Sequence, residues 1–215
     1  MEERKLSSRG RFDKALARRA ASFGVTLDKE ARARLGDYFE LVSAWNPRLH
    51  LVAPCTPEEF AARHVLESLL AVSFIGEGAT FMDVGSGAGL PAIPCLVARG
   101  DTRAVLVESS QKKAVFLRES LSRLGLGVRA RVAAERFERL EPPAADCLTC
   151  RAVERFTEIL PALVAWAARV PVLLLFGGEG LGEKLEHEGL RFEAVRVPES
   201  ERRFLFVVRN SGFEI

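Results

Sequence analysis

The chain has 215 residues, of which 48% are apolar and 28% charged, enough for a sizeable core and far from a disordered tail or a collagen-like repeat. Its formal net charge is +2, from 31 basic and 29 acidic residues, too balanced to announce a nucleic-acid binder by itself. The longest apolar stretch, Ile159 to Phe176, is interrupted by Pro161, Arg169 and Pro171, so it predicts a helix and a strand rather than a membrane span. The opening MEERKLSSRG lacks the apolar run of a secretion signal, and a cytoplasmic protein with no membrane partner is expected.

The cations are unusual in kind: 25 are Arg and 6 are Lys. Arginine suits phosphate and planar base recognition, although a GC-rich coding sequence produces the same bias. Residues 1–20 carry Arg4, Lys5, Arg9, Arg11, Lys14, Arg18 and Arg19 against Glu2, Glu3 and Asp13, a basic arm able to touch RNA. The four cysteines (55, 95, 147, 150) form no disulfide framework. Cys147 and Cys150 lie in a predicted strand and point to opposite faces, and no second pair or nearby His completes a zinc site. No metal is expected.

In chain order, the first 78 residues predict a helical cap. Phe12 to Phe23 is amphipathic and stops at Gly24. Asp28 caps a second helix to about Trp45, which Asn46-Pro47 is expected to break. Thr56 and Glu59 form a capping box for a third helix over about 57–73, with Phe60, Val65, Leu66, Leu69, Leu70 and Val72 as its apolar face. From 79 to 215, strands and helices alternate. The predicted strands are Thr80–Val84, Ala104–Glu108, Val128–Val132, Asp146–Cys150, Val172–Phe176, Phe192–Val197 and Phe204–Val208. Helical patterns fall at about 89–99, 111–124, 154–169 and 179–188. This is an α/β chain with a mostly parallel sheet, closed by a C-terminal antiparallel hairpin across Pro198–Glu201.

The most informative segment is FMDVGSGAGLPAIP. A strand ends at Asp83, and Gly85, Gly87 and Gly89 follow before a helix, so the backbone can turn tightly and approach a ligand with its amides. A dinucleotide fingerprint would place its third glycine at position 90, where this chain has Leu90. The observed spacing, with Asp83 two residues before Gly85, resembles the S-adenosylmethionine loop of Rossmann-like class I methyltransferases. The second strand ends at Glu108, where an acid can accept hydrogen bonds from both ribose hydroxyls. Ala134 and Glu135, after the third strand, lie on the adenine side in this fold. Asp83 and Glu108 also suit a cationic donor.

These residues are part of a wider likeness, collinear over about residues 38–209. The chain resembles the small-subunit ribosomal RNA guanine-N7 methyltransferase family, also called glucose-inhibited division protein B. Arg63-His64-Val65-Leu66-Glu67-Ser68-Leu69 is similar to its R-H-x-x-D-S-L, with Glu67 for the usual Asp. Asp83 to Pro91 with Ile93-Pro94 is the most specific match. Glu108-Ser109, Lys112-Lys113-x-x-Phe116-Leu117, Ala134-Glu135, Cys150-Arg151-Ala152 and Glu201-Arg202-Arg203 continue it. The resemblance implies methyl transfer from S-adenosylmethionine to N7 of a guanosine in 16S rRNA, within the small ribosomal subunit or its RNA. It implies Gly85, Leu90, Ala134, Glu135 and Arg151 as donor contacts. The glycine-loop and strand-end arguments add Asp83, Ser86, Gly87, Gly89 and Glu108. Two departures stand out: His50-Leu51-Val52 where the family has N-L-T, and Phe176-Gly177 where it has Lys-Gly.

Guanine N7 carries a free lone pair, so alignment rather than proton removal would carry the reaction, and no general base is expected. Arg151, at the carboxyl end of a strand, is the first candidate for contact with the reacting groups, with a strand-end salt bridge as the structural alternative. His64 either lines the cleft from the cap or is a structural helix residue. Tyr38, Phe39 and Trp45 are expected to pack the cap on the sheet. A methyltransferase of the same fold with another RNA or a small-molecule substrate, and a donor-binding protein with reduced catalysis, are the competing readings. A monomer is expected.

Overall fold

The computed structural model describes residues 6–151 and 156–210. Arg4, Lys5, Ala152 and the first two residues of the helix expected from 154 lie outside the described residues. Seven strands form one sheet in the order β3-β2-β1-β4-β5-β7-β6. Strands β1 (Thr80–Val84), β2 (Arg103–Val107), β3 (Ala130–Ala133), β4 (Cys147–Arg151) and β5 (Val172–Gly177) are parallel. Their apolar runs reflect a sheet covered on both faces. The closing hairpin is antiparallel, with β7 (Phe204–Arg209) inserted between β5 and β6 (Phe192–Arg196). The expected third strand begins two residues late, because Val128 sits in a turn and is almost fully exposed.

Strand alternation sorts the core into two layers. Phe81, Leu106, Cys147, Leu174, Phe176 and Val207 face one side, where they share a continuous core with the N-terminal helices. Met82, Val105, Leu148, Cys150, Leu173 and Leu175 face the other. Cys147 and Cys150 thus fall in different layers, as the strand reading requires.

Helix α1 (Ser8–Arg19) is capped by the Ser7 hydroxyl and passes into a 3-10 turn, Ala20–Phe23, closed by Gly24 in the left-handed region. Helix α2 (Lys29–Leu49) starts where the Asp28 carboxylate accepts the Ala31 N–H. The break expected at Asn46-Pro47 does not occur, and the helix continues to Leu49 and ends at His50, φ +47°. Pro47 removes a single N–H in the last turn, where carbonyls lose their partners anyway. The Asn46 amide meanwhile holds Val52 through both its backbone groups, at 3.0 and 2.9 Å, which fixes the chain's exit.

The third helical run, α3, spans 57–74. The expected capping box is present: Thr56 Oγ1 accepts the Glu59 N–H, and Glu59 accepts the Thr56 N–H. Its middle, Phe60–Leu66, is a π-helix, a rare form that often accompanies functional sites. Phe60, Val65, Leu66, Leu69 and Leu70 are buried as expected, while Val72 is half-buried. Helices α4 (Ala92–Ala98) and α5 (Gln111–Arg123) lie on the cap side of the sheet; α6 (Phe156–Trp166) and α7 (Glu179–His187) lie on the other. The cap seats itself through aromatic rings: Phe12 stacks on Phe39 at 4.9 Å, and Trp45 meets Phe116 edge-on at 5.9 Å. Among the described residues no helix is long and apolar enough to cross a membrane.

Candidate active site

The strand order reverses between β1 and β4, and ligands of open α/β sheets bind beyond the carboxyl ends of such strands. The glycine loop leaves β1 there. Gly85, Gly87 and Gly89 have φ of +71°, +53° and +88°, conformations that disfavour any side chain. Gly85 and Ser86 donate their N–H groups to the Val107 carbonyl, tying the loop to β2. The Ser86 hydroxyl donates to the Asp83 carbonyl, and the Ser86 carbonyl accepts from Gly89 and Leu90. At Gly87 an added Cβ would meet nothing nearer than the Gly85 carbonyl at 3.7 Å, which leaves open space beside the loop.

Glu108 closes the other side. One carboxylate oxygen accepts the Gly87 N–H at 2.8 Å, and the other accepts the Ser110 N–H at 2.7 Å. An ionised carboxylate has about four acceptor positions, so two further donors, such as ribose hydroxyls, can still be received. Next to it, Gly85, Ser109, Glu135 and Ile159 border a cavity of about 290 Å³. Glu135 is half-buried and receives the Arg136 N–H, while the Ala134 carbonyl accepts from Gln111.

Asp83 is fully buried at the end of β1. Thr149 on β4 donates to its Oδ1 at 2.7 Å, while Oδ2 has no partner. Burial pushes this carboxyl up to about 7, against the opposing hydrogen bond from Thr149. An orphaned buried acid oxygen beside the glycine loop, with open space over Gly87, fits a cationic nucleoside donor.

Arg151 ends β4, with its side chain 9% exposed. Its guanidinium donates to the carbonyls of Arg63 and His64 and to the Ser68 hydroxyl, at 2.6, 3.1 and 2.8 Å. It pairs with Glu67 at 3.3 Å and lies over the Phe176 ring, 5.7 Å from the centroid. Burial lowers its affinity for the proton, and Glu67 opposes that shift. Glu67 also pairs with Arg203 at the start of β7, so one buried carboxylate joins α3, β4 and β7. The salt-bridge alternative for Arg151 is therefore present, and the R-H-x-x-E-S stretch is its holder. Two of the carbonyls it uses belong to the π-helical turn.

His64 offers its backbone to Arg151, and its ring packs against Phe60 at 5.2 Å. Burial and then the Arg151, Arg63 and Arg203 charges hold the imidazole down to about 3, so it is neutral near pH 7. Tyr38 does more than pack: its buried hydroxyl donates to the Ala88 carbonyl at 2.7 Å, pinning the glycine loop to the cap. The sequence offered no signal for that bond beyond a tyrosine on an apolar helix face. His50 is a helix terminus and His187 is exposed.

A doubly wound sheet, a G-x-G-x-G turn fastened to a strand-end glutamate, and an orphaned buried aspartate at the switch point define a Rossmann-like methyltransferase. Comparison with known proteins narrows this. A family model described as rRNA small subunit methyltransferase G (GidB) matches residues 31–189. The chain belongs to that family and is an S-adenosylmethionine-dependent enzyme of it. It is 39% identical over 176 residues to a Ribosomal RNA small subunit methyltransferase G of Sorangium cellulosum, covering 79% of this chain and 73% of the relative. It is 34% identical to that of Anaeromyxobacter dehalogenans over 83% of this chain and 82% of the relative. The match to that of Xanthomonas euvesicatoria is 43% over 63% of each chain. Among solved structures, a SAM dependent methyltransferase from Aquifex aeolicus shares the fold with a TM-score of 0.58 at 17% identity, over 81% of this chain and 98% of that one. Pyrococcus horikoshii TYW2 in complex with MeSAdo gives 0.53 at 16%, over 68% and 62%.

Proposed function

We propose that this chain methylates N7 of a guanosine in 16S rRNA, the nucleotide numbered 527 in its family, acting as a monomer in the cytoplasm on the small subunit or its RNA. The family match over residues 31–189 carries the substrate, and Glu108, clamped between the Gly87 and Ser110 amides beside the cavity at the carboxyl ends of β1, β2 and β3, carries the donor. S-adenosylmethionine, when bound, supplies an electrophilic methyl group on a sulfonium.

In this reading Gly85, Ser86, Gly87, Gly89 and Leu90 form the cradle, and Glu108 receives the ribose. Ala134 and Glu135 border the adenine, and Asp83 offers its unpartnered oxygen to positive charge. Arg151 from β4 and His64 from the cap (1–78) face the reacting groups, and the rest of the sheet region (79–215) holds the donor. Because N7 needs no deprotonation, positioning does the catalytic work, worth up to roughly 7–11 kcal/mol in well-oriented systems. The neutral His64 ring suits that role better than an acid would.

The test is methyl transfer from labelled S-adenosylmethionine to small ribosomal subunits lacking the modification, with digestion to nucleosides. Label in 7-methylguanosine is expected. Donor binding without label, on subunits that a family relative methylates, would overturn the reading.

A further inference from the structure

We infer that a groove between α1, α3 and the β6–β7 turn is the docking track for the RNA backbone flanking the target guanosine. This inference rests on the reading of the substrate as small-subunit rRNA. Two hollows make the groove, about 330 and 190 Å³, and they share Arg19. Arg11, Lys14, Arg18, Arg19, Arg63 and Arg203 line them, against Glu58, Glu59 and Glu199. Arg11, Lys14 and Arg18 recur at three- and four-residue spacing, so they share one face of α1, and all three are exposed.

Two observations support this groove. First, Lys14, Arg18 and Arg63 have no carboxylate within ion-pair distance among the described residues, so their charge is available, while Arg11 pairs with Glu58, Arg19 with Glu199 and Arg203 with Glu67. Most of the cations around β3 are engaged: Arg129 donates to the carbonyls of Leu96, Arg99 and Thr102, Arg123 pairs with Glu119, Arg136 with Glu138 and Arg139 with Glu135, which leaves the exposed Arg131. Second, the groove abuts the candidate active site. Arg63 lines it with its side chain while its carbonyl receives Arg151, and Arg203 lines it while pairing with the glutamate that holds Arg151. A phosphodiester chain seated there delivers its neighbouring base to the Arg151 side of the cleft. Arginine and lysine along such a track exchange counterions for phosphates, which makes binding salt-dependent and sequence-independent.

The experiment is kinetic. The double variant Lys14→Gln/Arg18→Gln is compared with Arg118→Gln/Arg123→Gln, on α5 and outside the residues that line the groove, across a salt series with unmodified small subunits. The groove variant should raise KM for subunits about tenfold at moderate salt, and its log kcat/KM against log salt should flatten by about 1.4 to 1.8. Saturating kcat and donor affinity should hold. A KM no higher than in the control pair overturns the inference. A higher KM with unchanged salt slope overturns it too, and points to a ribosomal protein as the contact. Should the wild-type chain fail to methylate subunits, the proposed function falls instead. Filter binding of a 16S rRNA fragment then judges the groove alone, the groove variant losing affinity if the track exists and matching the control if it does not.

Discussion

The two walls of the proposed site are made of different material. The β1–β2 wall is backbone: three glycines at positive φ, amides donated to the Val107 carbonyl, and a glutamate gripping two N–H groups. The cap-side wall is side chain: Arg151 held by a serine, a glutamate and two carbonyls from a helix more than eighty residues earlier. A backbone wall is sensitive to added atoms and, Glu108 apart, holds little charge to lose. A side-chain wall reverses those sensitivities, and substitutions can separate them.

The largest effect should come from the side-chain wall. Glu67→Gln leaves Arg151 and Arg203 without their shared counter-charge, and breaking a buried pair costs about 3–5 kcal/mol. Urea unfolding should show that loss, and Glu67→Asp, which keeps the charge, should recover most of it. A loss below about 1 kcal/mol in Glu67→Gln would mean the wall stands without its glutamate.

Next is the backbone wall. At Gly89 an added Cβ would lie 2.4 Å from Ile93 Cδ1 and 2.8 Å from its Cγ1, at φ +88°. Overpacking together with left-handed strain predicts that Gly89→Ala costs about 3 kcal/mol and weakens donor binding. An unshifted unfolding midpoint and an unchanged donor Kd would show that the loop tolerates a side chain.

The smallest effect is a pH dependence. Asp83 is held up to about 7 when folded, against an ordinary carboxylate value of 3.8. The folded state therefore keeps a proton that the unfolded state has lost, so stability falls as pH rises through that window. Between pH 6 and 8 the loss should be about 1.4 kcal/mol, and Asp83→Asn should abolish it. Donor affinity should tighten over the same interval in the wild type, as Asp83 ionises. Stability that is flat or rising with pH over that interval would place the carboxyl in its ordinary range.

The same contrast explains what the sequence made legible. A backbone wall is written locally. Asp83 and the three glycines fall within seven residues, and the Glu108 position follows from strand rhythm. Both helix caps at Asp28 and Thr56 were likewise readable, because their partners lie three residues away. The cap-side wall was legible only as fragments. R-H-x-x-E-S, Arg151 and Arg203 could be picked out, but nothing local says that Glu67 meets residues 84 and 136 positions later. The π-helical turn has no sequence signature, and the helix carried through Pro47, with Asn46 fastening the chain only after the helix has ended. Phe176, a departure from the family pattern, is the ring beneath Arg151.

The Tyr38 hydroxyl has a consequence for modularity. It reaches from the second helix into the glycine loop, and the core behind it runs unbroken from Phe12 to Val207. A chimera joined between residues 78 and 79, pairing this sheet with foreign N-terminal helices, would leave the Ala88 carbonyl without its tyrosine and a buried apolar face mismatched. The cap and the glycine loop are therefore one packing unit, and a cap can be exchanged only along with the loop it pins.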